Sequence, residues 1–575
     1  MPTLQFKGKS VIETYHHTVP HHRLEFDPKL SLLPKGEKPA LDGNLIIEGD
    51  NLLALKALLP THAGKVKCIY IDPPYNTGEE GWVYNDNLTQ PQFKEWIGQT
   101  VGKEGEDATR HDKWCCMMLP RLTLLRELLR EDGAMFVSID DNEAGALRFL
   151  LDEVFHVEMP LATFVWKRRS ATGMRGDPVS VDHEYVYLYA KNPERVVLTG
   201  LIRTEADYPN QDKRGRYAST DLTIGMSEEE RPNQAFTIQN PRTGKEYLHN
   251  PDRVWRFEPD TMKSVIKNDL VIWPDEQNGE MKRPRYKTYF DPKEPKIKPV
   301  SSWIETTATT TSEEDEDDLE TISSGLNSEG GRVLKRILGR KVFNYPKPPS
   351  LMRSLVRIAS GGDEIVLDSF AGSGTTAHAV LDLNAADKQN RKFVLIQLRH
   401  DTKEQQRAGF NVCEEATAVR IRNLMSGYTY KSNGKKKVKA DALGGSFTYA
   451  RVGEPLFGEY KNFGETLPDW QTIARYIFYT ETSRECDPKL LKEKTGFIGA
   501  TEAGGGTSYY LFYSPHDKEN QRVSLRTLPA MVEMDKNKNL VVYAERIWLH
   551  PDELAKFEAE HRRKIRTMVV PFGVK

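Results

Sequence analysis

The chain has 575 residues, more than one ordinary domain holds, so about two to four domains are predicted. Its 81 basic and 83 acidic residues give a net charge of −2, which excludes a globally basic nucleic-acid binder and leaves only local clusters. No apolar run approaches the roughly 18 residues of a membrane span, and five cysteines lack disulfide or zinc spacing. We therefore expect a cytoplasmic protein that binds no metal.

Helices and strands alternate in the first part of the chain. Residues 1–42 lack a hydrophobic period and are predicted to form an irregular arm. Residues 43–200 carry the segments NLIIEGD, VKCIYIDPPY and GAMFVSID, typical of buried strands, with apolar helical patterns between them. This rhythm predicts one half of an α/β sheet.

The rhythm breaks and then returns. Residues 201–330 contain short β-like pieces, three tryptophans and an acidic low-complexity run, which predicts an inserted domain. Residues 331–430 again alternate helix and strand and supply the second half of the sheet. A basic stretch at 432–441 is predicted to link to a last α+β domain, which is assigned to residues 431–575.

The first segment with chemical character is Asp72-Pro73-Pro74-Tyr75, at the end of a buried strand. Two prolines stiffen the backbone and leave carbonyl acceptors, while Asp72 adds a carboxylate and Tyr75 an aromatic face. This set suits a planar base with an exocyclic amino group, which would donate to Asp72 and the Pro73 carbonyl and stack on Tyr75. A proline-stiffened turn without chemistry is the alternative.

The second such segment is VLDSFAGSGTTA, where Gly372 and Gly374 lie between a strand and a helix. Glycines there allow the backbone to approach a ligand at a helix N-terminus. The spacing also satisfies the dinucleotide pattern G-x-G-x-x-A, but the next strand ends in Gln397, Arg399 and His400 and offers no acid for a ribose.

Together the two segments resemble the paired D-P-P-Y and F-x-G-x-G signature of the N6-adenine and N4-cytosine DNA methyltransferases. The order, with D-P-P-Y first, is similar to the β class. The resemblance implies a circularly permuted, Rossmann-like, doubly wound S-adenosylmethionine-dependent methyltransferase sheet. It implies that residues 43–200 are the catalytic half, 201–330 the target-recognition domain and 331–430 the cofactor half.

The resemblance also implies roles for individual residues. It makes Asp72, Pro73, Pro74 and Tyr75 the catalytic residues. Lys167, Arg168, Arg169 and Arg175 lie on a basic loop that this family closes on DNA beside the flipped base. The S-adenosylmethionine contacts that it implies are Asp50, Asn51, Phe343, Lys347, Asp368, Phe370, Gly372, Gly374, Thr375 and Thr376.

Within this family, residues 40–430 resemble the modification (Mod) subunit of type III restriction–modification systems. YIDPPYNTG, FVSIDDNE, HEYVYLYAK and PKPPSL carry that likeness. It implies methylation of adenine N6 in double-stranded DNA, a homodimer, and a separate restriction subunit with ATPase/helicase and nuclease activity. The chain has no G-x-x-x-x-G-K-[ST] phosphate loop of its own.

Three alternatives stay open. N4-cytosine methylation uses the same acceptor geometry, although a leading Asp favours adenine. A non-catalytic DNA-binding scaffold of a defence complex would keep the fold, but the intact Asp72, Tyr75, Gly372 and Gly374 argue against lost activity. A nicotinamide oxidoreductase is disfavoured by D-P-P-Y and by the missing ribose acid.

Overall fold

The protein is described here by a computed structural model, which divides it into two compact units. The larger unit comprises residues 1–200, 302–310 and 322–575, and the smaller one 201–301 and 311–321. The residues that the structure describes are 3–77, 107–157, 159–170, 179–196, 198, 203, 205–277, 281–294, 296, 300–306, 322–432, 436–457, 467–501, 506–514, 522–535, 537 and 539–570.

The larger unit is built on an eleven-stranded sheet. In chain order the strands are β1 His22–Phe26, β2 Leu45–Glu48, β3 Val66–Ile71, β4 Leu129–Ile139, β5 Ala162–Lys167, β6 His183–Ala190, β7 Trp303–Thr306, β8 Ser323–Ser324, β9 Ile365–Asp368, β10 Lys392–Gln397 and β11 Thr448–Pro455. Their spatial order is β1–β11–β2–β10–β9–β3–β4–β6–β5–β7–β8. The longer helices of the sheet region are α1 Asn51–His62, α2 Asp107–Leu128, α3 Ala144–Phe155, α4 Asn327–Leu338, α5 Pro349–Ala359, α6 Thr375–Asp387 and α7 Val419–Ser426.

The strand order confirms the predicted doubly wound α/β sheet. Strands β2, β10, β9, β3 and β4 are parallel, and β6 runs antiparallel between β4 and β5. From β9 the chain moves outward to β10, whereas from β3 it moves the opposite way to β4. The switch point therefore lies between β9 and β3, where open α/β sheets place their ligands.

Burial explains why these segments form strands and helices. All six residues of β3 are buried, as expected for a parallel strand covered on both faces. Helix α1 begins at an N-cap, since the Asp50 carboxylate accepts a hydrogen bond from the Leu52 amide at 2.8 Å. Leu55 and Leu58 of α1 then pack into one core with Ile69 and Val137.

Two regions differ from the sequence prediction. Residues 1–42 are no irregular arm, because they form helices Lys9–Ile12 and Tyr15–Thr18 and strand β1, which pairs with β11. Elements of four or five residues are too short to show a hydrophobic period. The predicted linker at 432–441 instead belongs to a hairpin of Tyr428–Ser432 with Lys436–Ala440, after which β11 joins β2 of the main sheet.

The smaller unit has a core of its own. Its four-stranded antiparallel sheet runs in the order Val271–Ile272, Arg285–Tyr289, Gly215–Asp221 and Asn210–Asp212. Trp255 and Trp273 are buried in its hydrophobic cluster. The predicted inserted domain extended to residue 330, whereas β7, β8 and the start of α4 belong to the larger unit.

A second, four-stranded sheet lies in the last part of the larger unit. Its strands are Phe497–Ala500, Thr507–Phe512, Asn539–Ala544 and Lys564–Val569, in that order. The same stretch of chain contains the helices Trp470–Thr482, Leu528–Met534 and Pro551–His561. Across the described residues, no helix is both long and apolar enough to cross a lipid bilayer.

Candidate active site

The two predicted motifs leave the sheet at the same edge. Asp72 follows β3, and the glycine turn follows β9. These strands are parallel neighbours, with Leu367 opposite Ile69, and hydrogen-bonded strands lie about 4.8 Å apart. The carboxylate of Asp72 and the glycine turn therefore border one cleft, although about 300 residues separate them in sequence.

The Asp72-Pro73-Pro74-Tyr75 turn is held in place from two sides. The buried Trp114 of α2 donates its indole N–H to the Pro74 carbonyl at 2.7 Å. Asn76, at a left-handed φ of 58°, donates its side-chain amide to Glu143, whose Oε1 also contacts His111 Nδ1 at 2.7 Å. With the Pro74 carbonyl occupied, the Pro73 carbonyl remains the predicted acceptor for an amino group.

The glycine turn requires its glycines. Gly372 and Gly374 have φ of 52° and 79°, a region that other residues enter only with strain. A Cβ on Gly372 would lie 3.1 Å from Cζ of Phe343, and one on Gly374 would lie 3.2 Å from Cγ2 of Thr417. The structure thus places Phe343 directly against the turn, and its predicted contact with the cofactor stays a prediction.

Two side chains predicted to touch the cofactor, Asp368 and Thr376, also hold the turn. Asp368 accepts the Phe370 amide at 3.0 Å through Oδ1 and the Thr376 hydroxyl through Oδ2. Burial raises the pKa of Asp368 to about 7, and these two donors oppose that rise. Each Asp368 oxygen therefore accepts a hydrogen bond from within the turn, and the predicted contact of Asp368 with the cofactor stays a prediction.

The glycine turn is also held by hydrogen bonds from residues in and just before α7. The fully buried Arg420 donates to Ser373 Oγ at 3.0 Å and to Thr375 Oγ1 at 2.9 Å. Thr417, in the π-helical stretch Cys413–Ala418, donates its hydroxyl to the Gly372 carbonyl at 2.6 Å. A π-helical insertion is a frequent feature of functional sites.

Asp50 and Asn51 lie beside this turn and are paired with protein groups. The guanidinium of the buried Arg121 contacts the Asp50 carboxylate at 3.2 Å and Asn51 Oδ1 at 2.5 Å. The Asn51 amide in turn donates to the Ser369 carbonyl at 2.9 Å. Asn51 thus holds the residue that precedes the glycine turn, and the predicted cofactor contacts of Asp50 and Asn51 stay predictions.

A family model described as DNA methylase, covering N6 and N4 methyltransferases, matches residues 66–407, more than half of the chain. The match begins at the first residue of β3 and includes both motifs and the segment between them. The chain belongs to the DNA methylase family.

Curated relatives of this DNA methylase are type III Mod subunits and a type II methyltransferase. The EcoPI Mod subunit of Escherichia phage P1 is 32% identical over 69% of this chain and 64% of its own length. The StyLTI Mod subunit of Salmonella typhimurium is 30% identical over 66% and 56%. The methyltransferase M.KpnI of Klebsiella pneumoniae is 27% identical over 65% and 85%. The chain thus spans less than two thirds of the length of these two Mod relatives.

Lys347 of the DNA methylase, a predicted cofactor contact, lies against the D-P-P-Y turn. Its ammonium contacts Asp72 Oδ1 at 3.0 Å, the Tyr75 hydroxyl at 2.7 Å and Glu184 Oε2 at 3.1 Å, and its contact with the cofactor stays a prediction. The ammonium also lies 4.8 Å from the centre of the Tyr75 ring and 5.7 Å from that of Trp166. Lys347 therefore belongs to the D-P-P-Y side of the site.

Charge and burial act against each other in this cluster. Burial raises the pKa of Asp72 above its usual range, and the Lys347 ammonium opposes that rise. Burial likewise disfavours the charged form of Lys347, yet Asp72 and Glu184 outweigh it and raise the pKa of Lys347. Lys347 is consequently held as a cation between two carboxyl groups.

The basic residues predicted to bind DNA divide into two groups. Lys167 is exposed at the end of β5. Arg168 pairs with the buried Glu184 at 3.3 Å and Arg169 with Asp182 at 3.6 Å, so their guanidinium groups have protein partners that the sequence prediction did not include. Arg175 lies outside the described residues. The phosphate role of all four stays a prediction.

Sequence reasoning missed several residues of this site. Glu184 offered a signal, since an acid inside the apolar strand HEYVYLYA is costly unless it is paired. Trp114 and Arg420 offered none, because their partners are distant in sequence. Gln397 accepts the Gly372 amide at 2.6 Å and donates to Asp401 at 2.5 Å, so the tip of β10 also supports the glycine turn.

Proposed function

We propose that this chain transfers a methyl group from S-adenosylmethionine to N6 of adenine in double-stranded DNA. The observation that carries the proposal is the shared edge of β9 and β3. A methyl donor over the glycine turn and an amino group on Asp72 would meet across neighbouring strands. Membership of the DNA methylase family supports the same reaction.

The residues around the glycine turn fit the cofactor. The left-handed Gly372 and Gly374 bring backbone close to a ligand, and a Cβ at Gly372 would approach Phe343. Helix α6 begins at Thr375 and directs unpaired amide groups toward the turn, which favours an anionic carboxylate. Ser369 Oγ is buried next to the turn and has no hydrogen-bond partner among the described residues.

S-adenosylmethionine, when bound, would supply an electrophilic methyl group on a sulfonium. Asp72 and the Pro73 carbonyl would accept the two N–H groups of the target amine, which localises the nitrogen lone pair. Tyr75 would stack on a base that has left the duplex, which offsets part of the few kcal/mol that flipping costs. Formation of the N6–methyl bond would break the sulfonium–methyl bond and leave a neutral thioether, while N6 becomes positively charged. The Asp72 carboxylate would stabilise that charge until N6 releases one proton to solvent.

The relatives favour a place for this activity in a restriction–modification system. The first two are named as Mod subunits of type III restriction–modification enzymes, and similarity extends over about two thirds of this chain. The chain would then act as the modification subunit, as a homodimer, with a separate restriction subunit. Residues 201–330 would select the target sequence, and the exposed Lys167 would contact DNA backbone.

Methylation of unmethylated genomic DNA by the purified chain tests the reaction. After incubation with S-adenosylmethionine carrying a labelled methyl group, the DNA is digested to nucleosides and the labelled product identified by mass spectrometry. N6-methyladenine in the wild type, formed roughly 10²–10³-fold more slowly in Asp72→Ala, is the expected result. Labelled N4-methylcytosine would replace the substrate assignment, and cofactor binding without transfer would favour a DNA-binding scaffold.

Exchange of residues 201–301, the main segment of the smaller unit, tests the recognition role and leaves β7 and β8 in the sheet. A chimera carrying the corresponding segment of a related DNA methylase should mark the relative's sequence, because neither motif lies in that segment. Sequencing of methylated bases reads out the site directly. An active chimera that still marks the original sequence would move recognition elsewhere.

A further inference from the structure

Lys347 occupies the place in the D-P-P-Y side of the site where two carboxylates and an aromatic hydroxyl converge. Its ammonium is within 3.1 Å of Asp72, Tyr75 and Glu184. It donates hydrogen bonds to the Tyr75 hydroxyl and to Glu184 and forms an ion pair with Asp72, whose buried Oδ1 has no hydrogen-bond partner among the described residues. These partners place the ammonium on the D-P-P-Y side of the site.

Glu184 connects this arrangement to the rest of the sheet. It projects from β6, is 2% exposed, and uses its two oxygens differently. Oε2 contacts the Lys347 ammonium at 3.1 Å and accepts the Tyr75 hydroxyl at 3.0 Å, while Oε1 pairs with Arg168 at 3.3 Å. Glu184 thereby anchors both groups that face Asp72.

We propose that Lys347 is a positioning residue for methyl transfer, which keeps Asp72 as a carboxylate and fixes the Tyr75 ring, and that Glu184 anchors it. The inference rests on the proposed function and assigns to Lys347 a part in the acceptor half of that site. The residue acts through Asp72 and Tyr75 and takes no part in bond making itself.

The electrostatic surroundings of Asp72 make the cation necessary. Glu184 adds a negative charge nearby, the buried hydroxyls of Tyr70 and Tyr75 adjoin it, and Asp368 lies at the tip of the neighbouring strand. Burial and these carboxyl groups favour a protonated Asp72, whereas the ammonium 3.0 Å away favours the carboxylate. A carboxylate accepts up to about four hydrogen bonds, so the ion pair leaves capacity for a target amine.

The tyrosine ring is positioned by the same contacts. Tyr75 can stack on a base only if its ring plane is held, and a ring on a loop turns about χ1 unless its hydroxyl is bound. Here the hydroxyl donates to Glu184 and accepts from Lys347 at 2.7 Å. Loss of Lys347 should therefore have two effects together. It should shift the acid limb of the pH–rate profile, and it should leave the Tyr75 ring less fixed in orientation.

The test is the pH dependence of single-turnover methylation of genomic DNA, with three variants of the full chain. Lys347→Met removes the charge and keeps the length, Lys347→Arg restores the charge, and Lys29→Met changes an exposed lysine elsewhere. A double variant, Lys347→Met with Glu184→Gln, removes opposite charges together. Circular dichroism and calorimetric titration with S-adenosylmethionine accompany each variant.

For Lys347→Met we expect the acid limb to move to higher pH by about one pH unit, with cofactor affinity within about twofold of wild type. Lys347→Arg should return the limb toward the wild-type position, the double variant should move it less than Lys347→Met, and Lys29→Met should leave it in place. An unmoved limb in a folded Lys347→Met enzyme, or a limb unmoved while cofactor affinity falls tenfold, would overturn the inference. Absence of methylation by wild type itself would instead refute the proposed function.

Discussion

The two sides of the candidate site pair their buried polar groups differently. On the β9 side, a backbone turn is fixed by hydrogen bonds within the protein that involve Asp368, Thr376 and Arg420. On the β3 side, Asp72 and Glu184 share one ammonium and keep a charged cluster facing the cleft. A ligand is thus met by backbone on one side and by side-chain charge on the other, and substitutions should act differently on each.

The largest expected effect is on the β3 side. Asp72→Ala removes an acceptor that strengthens as N6 becomes positive, so the single-turnover rate should fall by roughly 10²–10³-fold. Cofactor affinity should stay within about twofold, because no β9-side contact changes. Rapid-quench methylation together with calorimetry measures both. A variant that retains wild-type rate would refute the whole catalytic assignment.

Two substitutions of Tyr75 separate the contribution of its aromatic face from that of its hydroxyl. Tyr75→Ala should lose stacking worth about 1–3 kcal/mol of transition-state stabilisation. Tyr75→Phe keeps the aromatic face and should be milder, with a loss of about 1 kcal/mol because the hydroxyl contacts Glu184 and Lys347. Single-turnover rates of both variants decide the order. Equal loss in both would remove the stacking role.

On the β9 side, Gly372→Ala should weaken cofactor binding about tenfold by straining a φ of 52° and by approaching Phe343. Gly362→Ala is the matched control, since Gly362 has φ of 54° but open space around its Cβ position. Both should lower stability by about 1 kcal/mol. Calorimetric titration separates them, and unchanged affinity in a folded Gly372→Ala would refute the cofactor assignment.

The smallest expected effect concerns DNA. Lys167→Ala should flatten the dependence of log affinity on log salt by about one unit, as loss of one phosphate contact does. Arg168→Ala should leave that slope nearly unchanged, because its guanidinium pairs with buried Glu184 at 3.3 Å. Fluorescence anisotropy with a labelled duplex over a salt series measures both slopes. Equal flattening in both variants would contradict the pairing of Arg168.

The sequence by itself determined the sheet class, the order of its two halves, and the two turns that are predicted to bind ligands. These features are local, since buried strands are continuous apolar runs and the turns need proline or glycine at fixed places. The switch-point position also followed, because strand order is predictable once both halves are seen as one permuted sheet.

Only the tertiary structure decided which side chains contact each other. Lys347 comes from a segment about 270 residues after Asp72 and reaches it because β3 and the α5 entry share one edge. The same holds for Glu184, Trp114 and Arg420, whose roles depend on long-range pairing. Hydrophobic periodicity reports burial along one element and carries no information on partners that fold against it from elsewhere.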